Sequence, residues 1–162
     1  IFFVRVTLIN ALLAVRFCIL AKFMDKFSLL KKINERNRGT LMQTLKIEFT
    51  DVGDDFLIAR MPVTAAVHQP DGVLHGGATA ALAETVGSSA AAVFCNQEDH
   101  MLRGINISAK HVRGVSTGYV YAKATPLHNG KTMQVWSIEI IDDEQRLVSS
   151  CSLTTLVLPI KK

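Results

Sequence analysis

Apolar residues recur at helical spacing between Asp25 and Arg38, at Phe27, Leu30 and Ile33, and Gly39 follows where a helix would stop. The period then drops to two. Leu45 to Phe49 alternates, the cluster Gly53, Asp54 and Asp55 turns the chain, and Phe56 to Val63 reads as a second strand ending at Met61 and Pro62. From Gly76 to Phe94 the residues are mostly small and apolar with no polar face, a run long enough for several helical turns and expected to be wrapped on most sides. Beyond a polar loop at Asn96 to His100 come four strand-like runs, Met101 to Val115, Gly118 to Leu127, Thr132 to Ile141 and Arg146 to Leu158. Turn-rich separators at Ser116 to Gly118, His128 to Gly130 and Asp142 to Glu144 part them. One long apolar helix among six strands, mostly with antiparallel neighbours, predicts an α+β fold in which a sheet curls about a helix. Trp136 alternates in phase with Ile138 and Ile140, which makes it a core or interface position rather than a platform for substrate.

Length and charge narrow the function. The chain of 162 residues suits one domain. Its formal charge of +4 is concentrated early, because residues 1–23 hold Arg5, Arg16 and Lys22 and no acid. The rest has 15 basic and 14 acidic residues, a balance that gives nucleic-acid binding no support. The uncharged stretch from Val6 to Val15 is too short for an ordinary membrane span and has the length of a signal-peptide core, although no small-x-small cleavage site follows. Residues 1–23 are therefore read as an apolar extension outside the working domain at 24–162, without stable membrane insertion, with an uncleaved anchor as the alternative. Cys18, Cys95 and Cys151 are scattered and odd in number, which fits a reducing cytoplasm and supplies no metal-ligand spacing. Neither a GxGxxG nor a Walker A run occurs, so no metal or separate cofactor is expected.

The chemistry centres on one acid. Between Val73 and Gln97, Glu84 is the sole formally charged side chain, and its neighbours carry little bulk and no opposite charge. A carboxylate in such a setting is either satisfied by a hydroxyl, such as Ser88 or Thr85, or retained for reaction. Gly76 and Gly77 stand at the expected helix start, where unpaired amides point outward at the positive end of the dipole. Amides so placed can form an oxyanion hole, although glycines there also serve close packing or a tight turn. Eight residues of helix separate Gly76 from Glu84 by about 12 Å, too far for one glutamate side chain to span. Two copies crossing antiparallel near Ala80, with Ala83 and Gly87 permitting close approach, would bring the two groups together twice. If both groups serve one reaction, a homodimer with composite sites follows.

These residues resemble a known family. Gln69-Pro70-Asp71-Gly72-Val73-Leu74-His75-Gly76-Gly77, with Glu84 and Ser88 following, is similar to the active-site segment of hotdog-fold acyl-CoA thioesterases. The branch is that of PaaI-type proteins and the Arthrobacter type of 4-hydroxybenzoyl-CoA thioesterase. The similarity extends through Ile105 to Arg113, Pro126 to Lys131 and Gln134 to Ile140. It implies a hotdog fold, with Glu84 as nucleophile or general base and the Gly76 N–H as oxyanion donor. Gln69 and His75 would place and polarise the thioester, and Ser88, where many relatives carry Thr, would orient the carboxylate or a water. A coenzyme A substrate brings phosphates, for which Lys110, Arg113 and Lys131 are candidates; His111 falls near the pantetheine path and Gly77 beside the bound thioester. The acyl group implied is aroyl or hydroxyaroyl, with medium-chain groups as competitors, in a homodimer or a dimer of dimers. Two alternatives on related scaffolds are a non-catalytic acyl-CoA binder and an enoyl-CoA hydratase or dehydratase.

Overall fold

The computed structural model describes residues 25–94 and 100–160. The apolar extension at 1–23, Cys18, Cys95 and the loop positions Asn96 to Asp99 lie outside these. Helix α1 occupies 25–36, and a short α2 (Leu41–Thr44) follows it. Six strands come next in chain order: β1 (Glu48–Val52), β2 (Leu57–Pro62), β3 (His100–His111), β4 (Tyr119–Asn129), β5 (Met133–Asp142) and β6 (Leu147–Pro159). The long helix α3 (Gly76–Phe94) lies between β2 and β3 in the chain.

The strands form one sheet in the order β1-β2-β4-β5-β6-β3, with every pairing antiparallel. Chain order alone would set β3 beside β4. The structure instead carries β3 across to the far edge, where it pairs with β6 along its whole length, from His100 opposite Pro159 to His111 opposite Ser149.

The inward positions of β2, β4, β5 and β6 alternate as the period-two pattern requires, and Leu57, Ala59, Val120, Ala122, Ile138, Ile140 and Leu153 are buried under α3. Trp136 is fully buried in that layer, stacked on Phe94 with centroids 6.0 Å apart, and it donates to Gln134 Oε1. It is a core residue. The helix seats itself by its smallest positions, since a Cβ on Gly87 would lie 2.6 Å from Leu153 Cδ2.

The sheet curls about α3 and leaves one stripe less covered. Thr79, Leu82, Ala83, Val86, Gly87, Ala90 and Ala91 are buried, whereas Gly77, Ala80, Ala81, Glu84, Ser88 and Ala92 run along a face that the protomer leaves partly open. The wrapping is incomplete along one stripe, because a single layer of six strands does not close around the helix. Ala83 and Gly87 are corrected as helix-crossing positions, because they already pack on the sheet. The open stripe is Ala80, Ala81, Glu84 and Ser88. Among the described residues no helix is long and apolar enough to cross a membrane.

Candidate active site

The segment before α3 is fixed by backbone hydrogen bonds at each step. Pro70 presets the turn in which Gly72 N–H donates to Gln69 O at 2.9 Å, and Gly72 takes a φ of +75° that suits glycine. Gln69 N–H then closes on Val73 O, Leu74 N–H on Val115 O at 2.7 Å, and His75 N–H on Val67 O. The chain thus enters α3 with Gly76 as the first helical residue and its amide outside the helical ladder.

His75 caps this helix. Its Nδ1 accepts from Gly77 N–H at 2.8 Å, which puts the imidazole proton, in the neutral ring, on the outward Nε2. Gly77 is corrected as a substrate donor, because its amide is engaged by that ring. The Gly76 and Ala78 amides have no acceptor among the described residues, and of the two Gly76 is the one that lines the neighbouring cavity. Gly76 also has a steric reason to be glycine, since a Cβ there would sit 2.9 Å from His111 Nε2. Both readings of the glycine hold together.

Gln69, Gly76, His111 and Arg113 line one cavity of about 390 Å³, with Val73, Leu74 and Thr79 on its walls. His111 is oriented by the buried Ser149, whose Oγ lies 3.1 Å from both His111 Nδ1 and Lys110 O. Arg113 donates through Nε to Leu147 O at 3.2 Å and makes no ion pair among the described residues, which leaves its terminal nitrogens at the mouth. Gln69 donates weakly to Asp71 at 3.3 Å.

Glu84 lies outside this cavity. Ser88 Oγ donates to its Oε1 at 3.2 Å, one helical turn on, and the carboxylate rests directly against the backbone of Gly104 in β3. Thr85, the other hydroxyl weighed for it, donates to Ala81 O instead. A second cavity of about 370 Å³ opens beside the acid, lined by Ser88, Ala92, Gly104, Leu102, His100, Arg103, Arg36 and Thr155. The protomer therefore keeps the two groups apart, with an amide donor at the start of α3 and an acid halfway along it.

Two expected coenzyme A contacts are not brought to the first cavity. Lys110 pairs with Ser150 and, one position from His111, projects from the other face of the sheet. Lys131 sits on the β4–β5 turn, level with Met133, which neighbours Leu156 and through it Arg103, at the end of the sheet away from His111. Ser149, Gly104, His100, Arg103 and Arg36 were not singled out from sequence. Only Gly104 carried a signal, as an isolated glycine inside a strand pattern, which marks close approach. Among the described residues no group of three or more His, Cys, Asp or Glu side chains is placed to hold a metal ion.

Comparison with known proteins agrees with this layout. Residues 71–149 match the thioesterase superfamily. The chain is 45% identical over 129 residues to a proofreading thioesterase of Cronobacter turicensis, covering 80% of this chain and 93% of that one. It is 43% identical to the 1,4-dihydroxy-2-naphthoyl-CoA hydrolase of Escherichia coli, over 80% of this chain and 94% of the relative. A solved thioesterase from Haemophilus influenzae superposes with a TM-score of 0.79 at 39% identity, covering 82% of this chain and 92% of that chain. An antiparallel sheet laid on one long helix, a glycine amide at the start of that helix, and relatives matched over nearly their whole length lead to one assignment: this chain belongs to the thioesterase superfamily, has the hotdog fold, and is a thioester hydrolase.

Proposed function

We propose that the enzyme hydrolyses acyl-CoA thioesters at two composite sites in a homodimer, each built from Gly76 of one subunit and Glu84 of the other. The observation behind this is the separation of the two groups: the free Gly76 amide stands at one cavity, whereas the Glu84 carboxylate lies outside it, beside a second cavity lined by its neighbours Ser88 and Gly104, about 12 Å away along α3. An antiparallel crossing over Ala80 and Ala81 would set each beside its complement. The exposed edge strand β3, with Ile105 and Ile107 accessible, offers backbone for a second copy to pair with. Association of two such dimers belongs to the same proposal.

In each site the Gly76 N–H would donate to the thioester carbonyl oxygen, strengthening as that oxygen gains charge. Glu84 would either attack the carbonyl carbon, expelling coenzyme A as its thiolate, or take a proton from a water that attacks instead. Ser88 holds the carboxylate in both cases. Gln69 and His75 Nε2–H would place the thioester, His111 would line the pantetheine path, and Arg113 would meet phosphate. Coenzyme A enters as part of the substrate, and no separate cofactor is required. The free, buried Cys151 suits a reducing cytoplasm.

An aroyl or hydroxyaroyl group is the favoured acyl portion, supported by the naphthoyl-CoA hydrolase among the relatives. Medium-chain acyl groups are the alternative. Steady-state assay with benzoyl-CoA, 4-hydroxybenzoyl-CoA and octanoyl-CoA ranks them. Glu84→Gln should lower kcat at least about 10²-fold on the preferred substrate, in the range that general-base or nucleophile loss produces. Undiminished turnover would remove the acid from its role.

A further inference from the structure

The cavity beside Glu84 contains cations that the hydrolysis itself does not employ. It lies between the second half of α3, the end of α1 and the start of β3, and Arg36, His100 and Arg103 stand on its wall. Arg103 folds along the edge strand to donate to Leu102 O at 3.1 Å, which holds its guanidinium at the rim. Among the described residues neither Arg36 nor Arg103 pairs with a carboxylate. His100 adds a second observation: its Nδ1 is buried and has no hydrogen-bond partner among the described residues. A buried ring nitrogen without a partner is costly, and two unpaired guanidinia beside it give the cavity a positive wall.

The direction of the site decides what meets that wall. Ser88 and Ala92 follow Glu84 along α3, each about 6 Å further from the helix start. Coenzyme A is assigned to the wall that the other subunit contributes to the composite site, at its cavity with Gly76, His111 and Arg113. An acyl group attached to the carbonyl would therefore extend past Glu84 towards Ala92, His100 and Arg103.

We propose that this cavity receives the far end of the acyl group and selects acyl-CoA substrates bearing a carboxylate there, such as a 4-carboxybenzoyl thioester. The inference rests on the composite-site reading above. A distal carboxylate would accept hydrogen bonds from Arg103 and Arg36 beside the His100 ring, giving both guanidinia a partner. A neutral acyl end would leave them unpaired.

The test compares kcat/KM for 4-carboxybenzoyl-CoA, 4-hydroxybenzoyl-CoA and benzoyl-CoA in the wild-type enzyme, Arg103→Gln, Arg36→Gln and His100→Phe. The wild type should prefer the carboxylated substrate by about tenfold or more, as expected for one charge-assisted hydrogen bond. Arg103→Gln should reduce that preference about tenfold, changing benzoyl-CoA far less. Equal rates on carboxylated and plain substrates, with hydrolysis intact, would overturn this inference while leaving the thioesterase reading in place. A uniform loss on all three in Arg103→Gln and Arg36→Gln would assign the cations to coenzyme A phosphates and also overturn it. Absence of turnover with every acyl-CoA would remove both readings.

Discussion

At the scale of single residues, the acid is positioned by two neighbours of different kinds. Ser88 fixes one carboxylate oxygen through a hydroxyl, and Gly104 makes room for the same oxygen by having no side chain. A methyl group on Gly104 would stand in the space that Glu84 Oε1 occupies, so Gly104→Ala must push the carboxylate towards another rotamer. Displacement of a reacting group by about 1 Å can cost on the order of 10² in rate. Gly104→Ala is therefore expected to lower kcat by about that factor with a small change in KM and a thermal midpoint close to wild type, since the residue is exposed on an edge strand. A parallel fall in midpoint and kcat would show a folding defect instead. Ser88→Ala should give a smaller loss of kcat, because the hydroxyl orients the acid and does not react.

At the scale of elements, the β5–β6 turn is the clearest case of charge holding backbone. Asp142 is buried, and its Oδ1 accepts from the amides of Glu144 and Arg146 at 3.0 and 2.9 Å while Oδ2 accepts from the Arg146 guanidinium. Burial pushes this carboxyl up, but the Arg146 amide and guanidinium and the Glu144 amide together hold it below its ordinary 3.8. A carboxyl depressed in the folded state contributes stability above its unfolded value and loses it as pH falls through the folded one. The thermal midpoint of the wild type should thus decline as pH drops below the ordinary 3.8, where the unfolded chain takes up a proton at Asp142 more readily than the folded protein does. Asp142→Asn should be less stable at pH 7 and show a shallower decline across that acid range. An unchanged slope would mean that other carboxyls set the acid response.

Much of the element pattern was legible because burial on one side of a sheet imposes strict alternation, as at Trp136, Ile138 and Ile140. The start of β1 was not. Leu45 to Phe49 alternates, yet the strand begins at Glu48, because α2 ends in a turn where Lys46 adopts a φ of +54°. A helix of four residues is too short to show a period. The end of β3 at His111, ahead of the expected Val115, has a tertiary cause: Val115 O is taken by Leu74 N–H, which pins the loop to the segment entering α3. The strand β4 runs through Pro126 to Asn129 by a bulge at Pro126 to His128, one of the few places where a sheet admits proline. Glu84, Gly76, Ser88 and Gln69 could be found as a motif in one stretch. Arg36, His100 and Arg103 reach the acid's cavity from distant elements, and no local signal marks such convergence.

For the whole molecule, the decisive question is whether one chain or two make a site. The donor and the acid share a rigid helix, so no rotation within the protomer closes the distance between them. A second copy can, and subunit mixing tests it directly. Glu84→Gln removes the acid, whereas Gly76→Pro removes the amide hydrogen at the first helical position, where the helix backbone admits proline although its ring presses on His111 in the same site. Each variant alone should have little activity. In a mixed dimer, one site joins the intact Gly76 of the first chain to the intact Glu84 of the second, and the other site joins both lesions. Random exchange of equal amounts makes half of the dimers mixed, so about a quarter of all sites should recover. Separate refolding of the two variants before mixing, under conditions that prevent exchange, should restore nothing. If each site lay within a single subunit, every chain in the mixture would still carry one lesion, and no exchange protocol would raise the rate above that of the separate variants.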